Sequence, residues 1–243
     1  MKAILLVAGY ATRLYPLTKD RPKALLPVGG KLMLDYILDQ INKIDEIDEV
    51  FVVSNHKFIS QFEAWVKNAD TKKKLSLLDD GSTDEDNRLG AIGDIYYAVD
   101  NGKIDDDLLI ICGDNLFTFD LGDYNRFFKQ AGKDCVCSKR VSDAEEIKGY
   151  AVALVDKDGI ILDLEEKPAN PKSDLAIFAT YFYQKSTVPM FKQYLDEGNK
   201  PDAPGYFLQW LYTRKHVMTY EMGGLCYDVG AHKAYEEVQR VFS

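Results

Sequence analysis

The sequence predicts an α/β fold, a Rossmann-like, mostly parallel mixed sheet flanked by helices, and three observations carry that prediction. Short continuous apolar runs at 2–7, 50–53 and 108–112 read as strands buried on both faces. Between them apolar residues recur at helical spacing, so strands and helices alternate in the order that closes a parallel sheet with right-handed crossovers. The first run ends abruptly at Ala8-Gly9 and opens into a cationic loop, as expected where ligands meet the carboxyl ends of such strands.

The elements follow in order. After strand 2–7, the loop from Ala8 to Pro27 carries Arg13, Lys19, Arg21 and Lys23. Small residues let a backbone approach phosphate and cationic side chains neutralise it, so the loop reads as built for a polyphosphate. Loops beyond roughly 12–15 residues without structure are usually functional or disordered, and the leucines and prolines inside this one argue against disorder. Met33, Leu34, Ile37, Leu38, Ile41 and Ile44 then mark a helix. A strand at 50–53, a helix at 58–66 and a short strand at 75–78 lead to the polar stretch DDGSTDEDNR. Residues 91–99 read as a helix, and strand 108–112 ends in Gly113-Asp114. The second half changes character. Strands at 134–140, 150–155, 160–165 and 175–183 have few helices between them and predict a mixed extension of the sheet. Helices at 187–196 and 205–214, two short strands and a terminal helix from 231 complete the chain.

Composition narrows the function classes. The 243 residues are 46% hydrophobic and 28% charged, enough for one substantial core. A net charge of −9 argues against nucleic acid as a partner, and makes the cluster from Arg13 to Lys23 a local exception that focuses a small anion. No basic-then-apolar leader and no apolar stretch near 18 residues is present, so neither secretion nor a membrane is expected. Cys112, Cys135, Cys137 and Cys226 form no metal-type pair and read as buried thiols in a reducing cytoplasm. His56, His216 and His232 are scattered and carry no role.

Residues 6–28, LVAGYATRLYPLTKDRPKALLPV, closely resemble the signature of the sugar-1-phosphate nucleotidyltransferases, LAxGxGTRLxPLTxxxPKxLLPV. The stretch is neither a Walker-type P-loop nor a dinucleotide G-x-G-x-x-G. The resemblance implies a GT-A-like nucleotidyltransferase fold in a single domain, 1–243, with a nucleotide-binding half at about 1–118 and an acceptor-binding half at about 119–243. It resembles the catalytic domain alone, since no hexapeptide array follows. Ala8, Gly9, Tyr10, Ala11 and Thr12 are implied to line the nucleotide, with the loop amides and Arg13 on the β,γ-phosphates and Lys23 near the α-phosphate. One departure stands out: Ala11 replaces the family's second glycine, which is costly if that position needs a positive φ.

Four further segments extend the resemblance. Asp114, in LIICGDNLF, sits at a strand's carboxyl end, where a carboxylate can hold Mg²⁺ together with substrate phosphates. Asp228, in LCYDVGAHKAYEEV, matches the family's W-x-D-x-G-T, with Cys226 in place of tryptophan and Ala231 in place of threonine, and is implied as the second metal carboxylate. In residues 149–183, Glu166-Lys167-Pro168 matches an E-K-P core that implies Glu166 for sugar hydroxyls and Lys167 for the acceptor phosphate, with Gly149 and Tyr181 beside them. Pro168 predicts an extended Lys167. Gly149-Tyr150, Asp174 and Ala179 depart from the pattern and leave the acceptor open. RLGAIGDIYYAV, 88–99, resembles LGTAGAL, a glycine turn pressed on the nucleobase at Gly90. The family's base-reading glutamine is missing upstream, and Asp80, Ser82 and Asn87 are its possible substitutes.

The expected reaction is in-line attack of a sugar-1-phosphate on the α-phosphorus of a nucleoside triphosphate. The nucleophile is already anionic, so positioning and charge neutralisation suffice, with Arg13, Lys23 and Lys167 as the catalytic cations. The alternative is a cytidylyltransferase acting on a non-sugar phosphate such as choline phosphate. A glycosyltransferase with an Asp-x-Asp metal pair fits poorly, because Asp105 to Asp107 precede their strand. Base, acceptor and oligomeric state, monomer or homo-oligomer, stay open.

Overall fold

The central strand is the first one. In the computed structural model, which describes residues 1–242, β1 (Lys2–Leu6) runs parallel between two other strands of the main sheet. The small hairpin β2 (Pro27–Val28) and β3 (Lys31–Leu32) leads into α1 (Met33–Asn42), and β4 (Glu49–Ser54), α2 (Ile59–Asn68) and β5 (Lys74–Asp79) follow. Then come α3 (Ala91–Gly102), β6 (Leu108–Cys112), β7 (Asn115–Phe117) and α4 (Leu121–Ala131). The second half holds β8 (Asp134–Arg140), β9 (Ala151–Val155), β10 (Ile161–Glu166) and β11 (Leu175–Tyr183). It ends with α5 (Val188–Asp196), α6 (Pro204–Leu211), β12 (Val217–Glu221), β13 (Cys226–Asp228) and α7 (His232–Val241).

The sheet runs β10-β9-β11-β6-β1-β4-β5, with β8 on β11 and β12 on β8. The half from β5 to β6 is parallel. Its β-α-β crossovers leave the carboxyl ends of β1, β4 and β6 on one rim, where a ligand site belongs. β11 is antiparallel to β6 through Thr180–Tyr183 and to β9 through Leu175–Ile177, so one long strand carries the chain from the parallel half to the extension.

Both faces are covered. α1, α2 and α4 bury Leu34, Ile37, Leu38, Ile41, Phe62 and Tyr124 on one side, and α3, α5 and α6 bury Ile92, Ile95, Phe191, Phe207 and Leu208 on the other. Asp35 holds α1 in place, accepting from Leu32 N at 3.2 Å and from Trp65 Nε1 at 2.8 Å. The helix stops at Asn42 rather than at Ile44, because Ile44 N turns back to Ile41 O at 3.0 Å while its side chain stays buried. Likewise α6 ends at Leu211, and Arg214 N closes a turn on Leu211 O.

A third cluster fixes the cationic loop. Leu14, Leu26, Val28 and Met33 pack against Leu116, Val229 and Val238, each essentially fully buried. Burial stabilises such side chains by about 1.5–3 kcal/mol each relative to exposure. The loop is thereby pinned to β7, to the residue after β13 and to α7. Within it, Thr12–Leu14 and Lys23–Leu25 form short 3₁₀ turns, and the Tyr15-Pro16 peptide is cis. Among the described residues no helix is long and apolar enough to cross a membrane.

Candidate active site

Two cavities open on the rim of the parallel strands and meet at Cys112 and Asp114. The first, about 190 Å³, is lined by Ala8, Gly9, Ala11, Lys23, Gly90, Ala91 and Asp94, with Arg88 and Asp202 at its mouth. The second, about 180 Å³, is lined by Gly149, Tyr150, Glu166, Lys167, Tyr181, Pro204, Gly205 and Asp228.

The loop enters the first cavity through Ala11, which adopts φ 50° and ψ 42°. That left-handed conformation is held by Thr18 Oγ1, which donates to Ala11 O at 2.7 Å, and by Leu14 N on the same carbonyl at 3.0 Å. The position therefore does require a positive φ, and alanine bears the strain there. Lys23 Nζ donates to Asp114 Oδ2 at 2.6 Å across the cavity.

Asp114 and Asp228 are brought together by β7 and β13, whose antiparallel register sets Asp228 opposite Asn115. Val229 N donates to Asp114 O at 2.9 Å, and Asn115 Nδ2 reaches Asp114 Oδ1 at 3.1 Å. Burial and the neighbouring Asp114 charge push the Asp228 carboxyl up to about 6, while Lys23, Arg13 and Lys167 pull it back. Three cations thus bear on one carboxylate at the cavity's edge. Two adjacent carboxylates suit a hard divalent ion, and no cluster of three or more ligating side chains exists among the described residues.

In the second cavity Glu166 closes β10, and its side chain is only 6% exposed. Its backbone N–H donates to Gln209 Oε1 on α6 at 3.1 Å, and Gly205 lies so close that a Cβ there would strike the Glu166 carboxylate. Burial raises its pKa. Lys167 departs from expectation. Its φ is 50°, not extended, because its N–H donates to Tyr150 O at 3.1 Å just as the β10–β9 ladder ends and the chain turns away at Pro168. Its Nζ lies 3.8 Å from Glu166 Oε1.

The sequence-predicted residues are therefore mostly gathered, but some are not. Ala8, Gly9, Ala11, Lys23, Gly90 and Asp114 share the first cavity, and Gly149, Glu166, Lys167, Tyr181, Asp114 and Asp228 the second. Thr12 and Arg13 line neither; Arg13 lies beside Gly230 and Asp228 instead. Tyr10 turns its hydroxyl to Ser82 Oγ at 3.3 Å, bracing the acidic stretch. Asn87 is spent on its own turn, accepting from Thr83 N and Asp84 N. Asp80 lies behind the cavity wall, with Oδ1 accepting from Ser82 N at 2.7 Å. Asp106 and Asp107 are paired with the N-terminal amine and Lys129, away from the rim. Sequence reasoning gave no site role to Asp94, Arg88, Asp202 or the 203–205 segment. Gly90, at φ 78°, is where that segment crosses, since a Cβ there would meet Pro201 O.

The family model for nucleotidyl transferases matches residues 2–242. The chain belongs to the nucleotidyl transferase family. A glucose-1-phosphate thymidylyltransferase of Neisseria gonorrhoeae is 31% identical over 214 residues, 84% of this chain and 67% of that protein. The bifunctional protein GlmU of Methanocaldococcus jannaschii is 30% identical over 193 residues, 79% of this chain. The chain spans 42% of that GlmU and 40% of the GlmU of Methanococcus aeolicus. A UDP-glucose pyrophosphorylase solved with UDP-glucose superposes with a TM-score of 0.84 at 20% identity, over 99% of this chain and 97% of the other. That likeness concerns the fold alone.

Proposed function

We propose that this chain condenses a nucleoside triphosphate with a sugar-1-phosphate, giving an NDP-sugar and pyrophosphate. The observation that carries the reading is the pair of cavities meeting at Asp114, one bordered by the Ala8–Ala11 backbone and Lys23, the other by Glu166, Lys167 and Asp228. Such a pair suits two phosphate-bearing substrates whose reacting atoms meet at the junction.

The chemistry asks for charge neutralisation and in-line placement. Lys23 faces the junction from the nucleotide side, Lys167 from the acceptor side, and Arg13 stands over Asp228. Asp114 and Asp228 would hold Mg²⁺, whose bound form neutralises and orients phosphate oxygens. The Asp228 carboxyl, raised by burial and by Asp114, fits a cation that relieves both. Glu166, buried with Gly205 packed against it, is placed to accept from acceptor hydroxyls.

A second reading draws on Tyr150, Phe178 and Tyr181 around Glu166. Aromatic faces beside a carboxylate also suit a quaternary ammonium group, so choline phosphate is the alternative acceptor. A panel of four triphosphates against glucose-1-phosphate, mannose-1-phosphate and choline phosphate, read by pyrophosphate release, tests both. Turnover with a sugar-1-phosphate is expected; release only with choline phosphate selects the second reading, and none with any pair refutes both.

A further inference from the structure

At the inner end of the nucleotide cavity α3 presents an acid, Asp94, only 6% exposed. Behind it stands Asp80, just past β5. Asp94 Oδ1 and Asp80 Oδ2 are both buried, and neither meets a donor among the described residues. Two carboxyls set against each other cannot both ionise cheaply, and one proton between them satisfies both inner oxygens. Burial, then the Asp80 charge, pushes Asp94 up to about 8, which agrees with that shared proton. With Oδ1 sealed against Asp80, Asp94 can offer only its second oxygen, as an acceptor, to the cavity that it lines together with Arg88. A buried acceptor is costly unless a donor meets it.

We propose that Asp94 is a specificity-determining residue of the triphosphate site, accepting a hydrogen bond from an exocyclic amino group of the nucleobase. The inference rests on the nucleotidyl-transfer reading above and adds the base to it. Cytosine offers an amino group at the position where uracil carries a carbonyl. A carbonyl there faces the Asp94 oxygen lone pair to lone pair, so the amino-bearing base is favoured. Asp80 is a positioning residue: it acts on the base only through Asp94.

The test is calorimetric binding of CTP and of UTP, without acceptor, to the wild type and to Asp94→Ala, Asp94→Asn and Asp80→Asn. The wild type is expected to bind CTP about tenfold or more tighter than UTP, the range a single satisfied polar contact gives. Asp94→Ala brings the ratio to within about twofold, since neither base then meets a partner. Asp94→Asn, whose amide can donate as well as accept, raises UTP toward CTP. Asp80→Asn lowers the same ratio, and a separate pyrophosphate-release assay on that variant finds the acceptor KM unchanged, a split that a merely structural role would not give. If Asp94→Ala does not fold by thermal melt, the isosteric Asp94→Asn carries the comparison. A wild type that prefers UTP, or a ratio unchanged in the folded variants, overturns the inference while nucleotidyl transfer stands. Failure of both triphosphates to bind, with no pyrophosphate from any pair, overturns the function and the inference together.

Discussion

Single residues carry the clearest strains in this molecule. Ala11 holds a left-handed backbone that costs an L-residue about 1–2 kcal/mol, partly offset by the entropy glycine loses on folding. Ala11→Gly is therefore expected to stabilise the chain by roughly 0.5–1 kcal/mol in urea unfolding, and a loss of stability would mean that the alanine methyl packs usefully on the Leu14 cluster. Asp94 is strained electrostatically. Burial and the Asp80 charge push its folded pKa up to about 8 from the ordinary 3.8, so across that window the folded chain keeps a proton that the unfolded chain releases. Stability should fall as pH rises through the window, by up to about 1.4 kcal/mol per unit, and level off above it. Asp94→Asn removes the titration. Its Tm relative to wild type should be higher at pH 8 than at pH 5, and an equal difference at both would place the proton elsewhere. The motif residues were legible because they are local, whereas the Lys167 backbone was not: the proline rule misses a hydrogen bond to Tyr150 O.

At the scale of elements, two contacts link the second half of the chain to the site. The N-terminus of α3 has its first amides, Ala91 N and Ile92 N, satisfied by the carbonyls of Asp202 and Pro201 at 3.2 and 2.8 Å. Gly90, at φ 78°, is what allows that approach. The start of α6 makes the second link, where Gly205 gives the Glu166 carboxylate its place. Gly205→Ala is expected to push that flexible side chain aside with little loss of stability. The acceptor KM should rise about tenfold or more while the triphosphate KM holds, because only the acceptor cavity changes. Equal shifts in both KM values would show that α6 serves the whole site rather than Glu166. The strands and helices themselves were readable from apolar runs and helical spacing, with errors of a few residues where Ile44 and Arg214 fall in closing turns. The 201–205 crossing was not readable. It packs by backbone carbonyls and a missing Cβ, which leave no periodic trace.

At the scale of the whole molecule, the decisive event is a closure between distant segments. Asp114 follows β6 near the middle of the chain and Asp228 ends β13 near its close, and only the β7–β13 pairing and the Leu14 cluster bring them to one junction. Sequence pattern named both aspartates through their motifs, but no spacing along the chain could show them adjacent, since pairing between short strands that far apart has no local signature. Under the proposed function the two act as one unit. Asp114 is bound by Lys23, and Asp228 is raised to about 6 by burial and by the Asp114 charge, so the Asp228 charge depends on Asp114 and on the cations around it. Asp114→Asn and Asp228→Asn should each lower kcat by orders of magnitude at unchanged fold. The double variant should be scarcely slower than either single one, as residues acting as a unit are not additive. Excess EDTA should abolish turnover in the wild type, with Mg²⁺ restoring it. Steady-state kinetics on the three variants, with circular dichroism to check folding, decides the matter. Full activity in EDTA, or losses in the two single variants that simply multiply in the double, would separate the aspartates and remove the metal from between them.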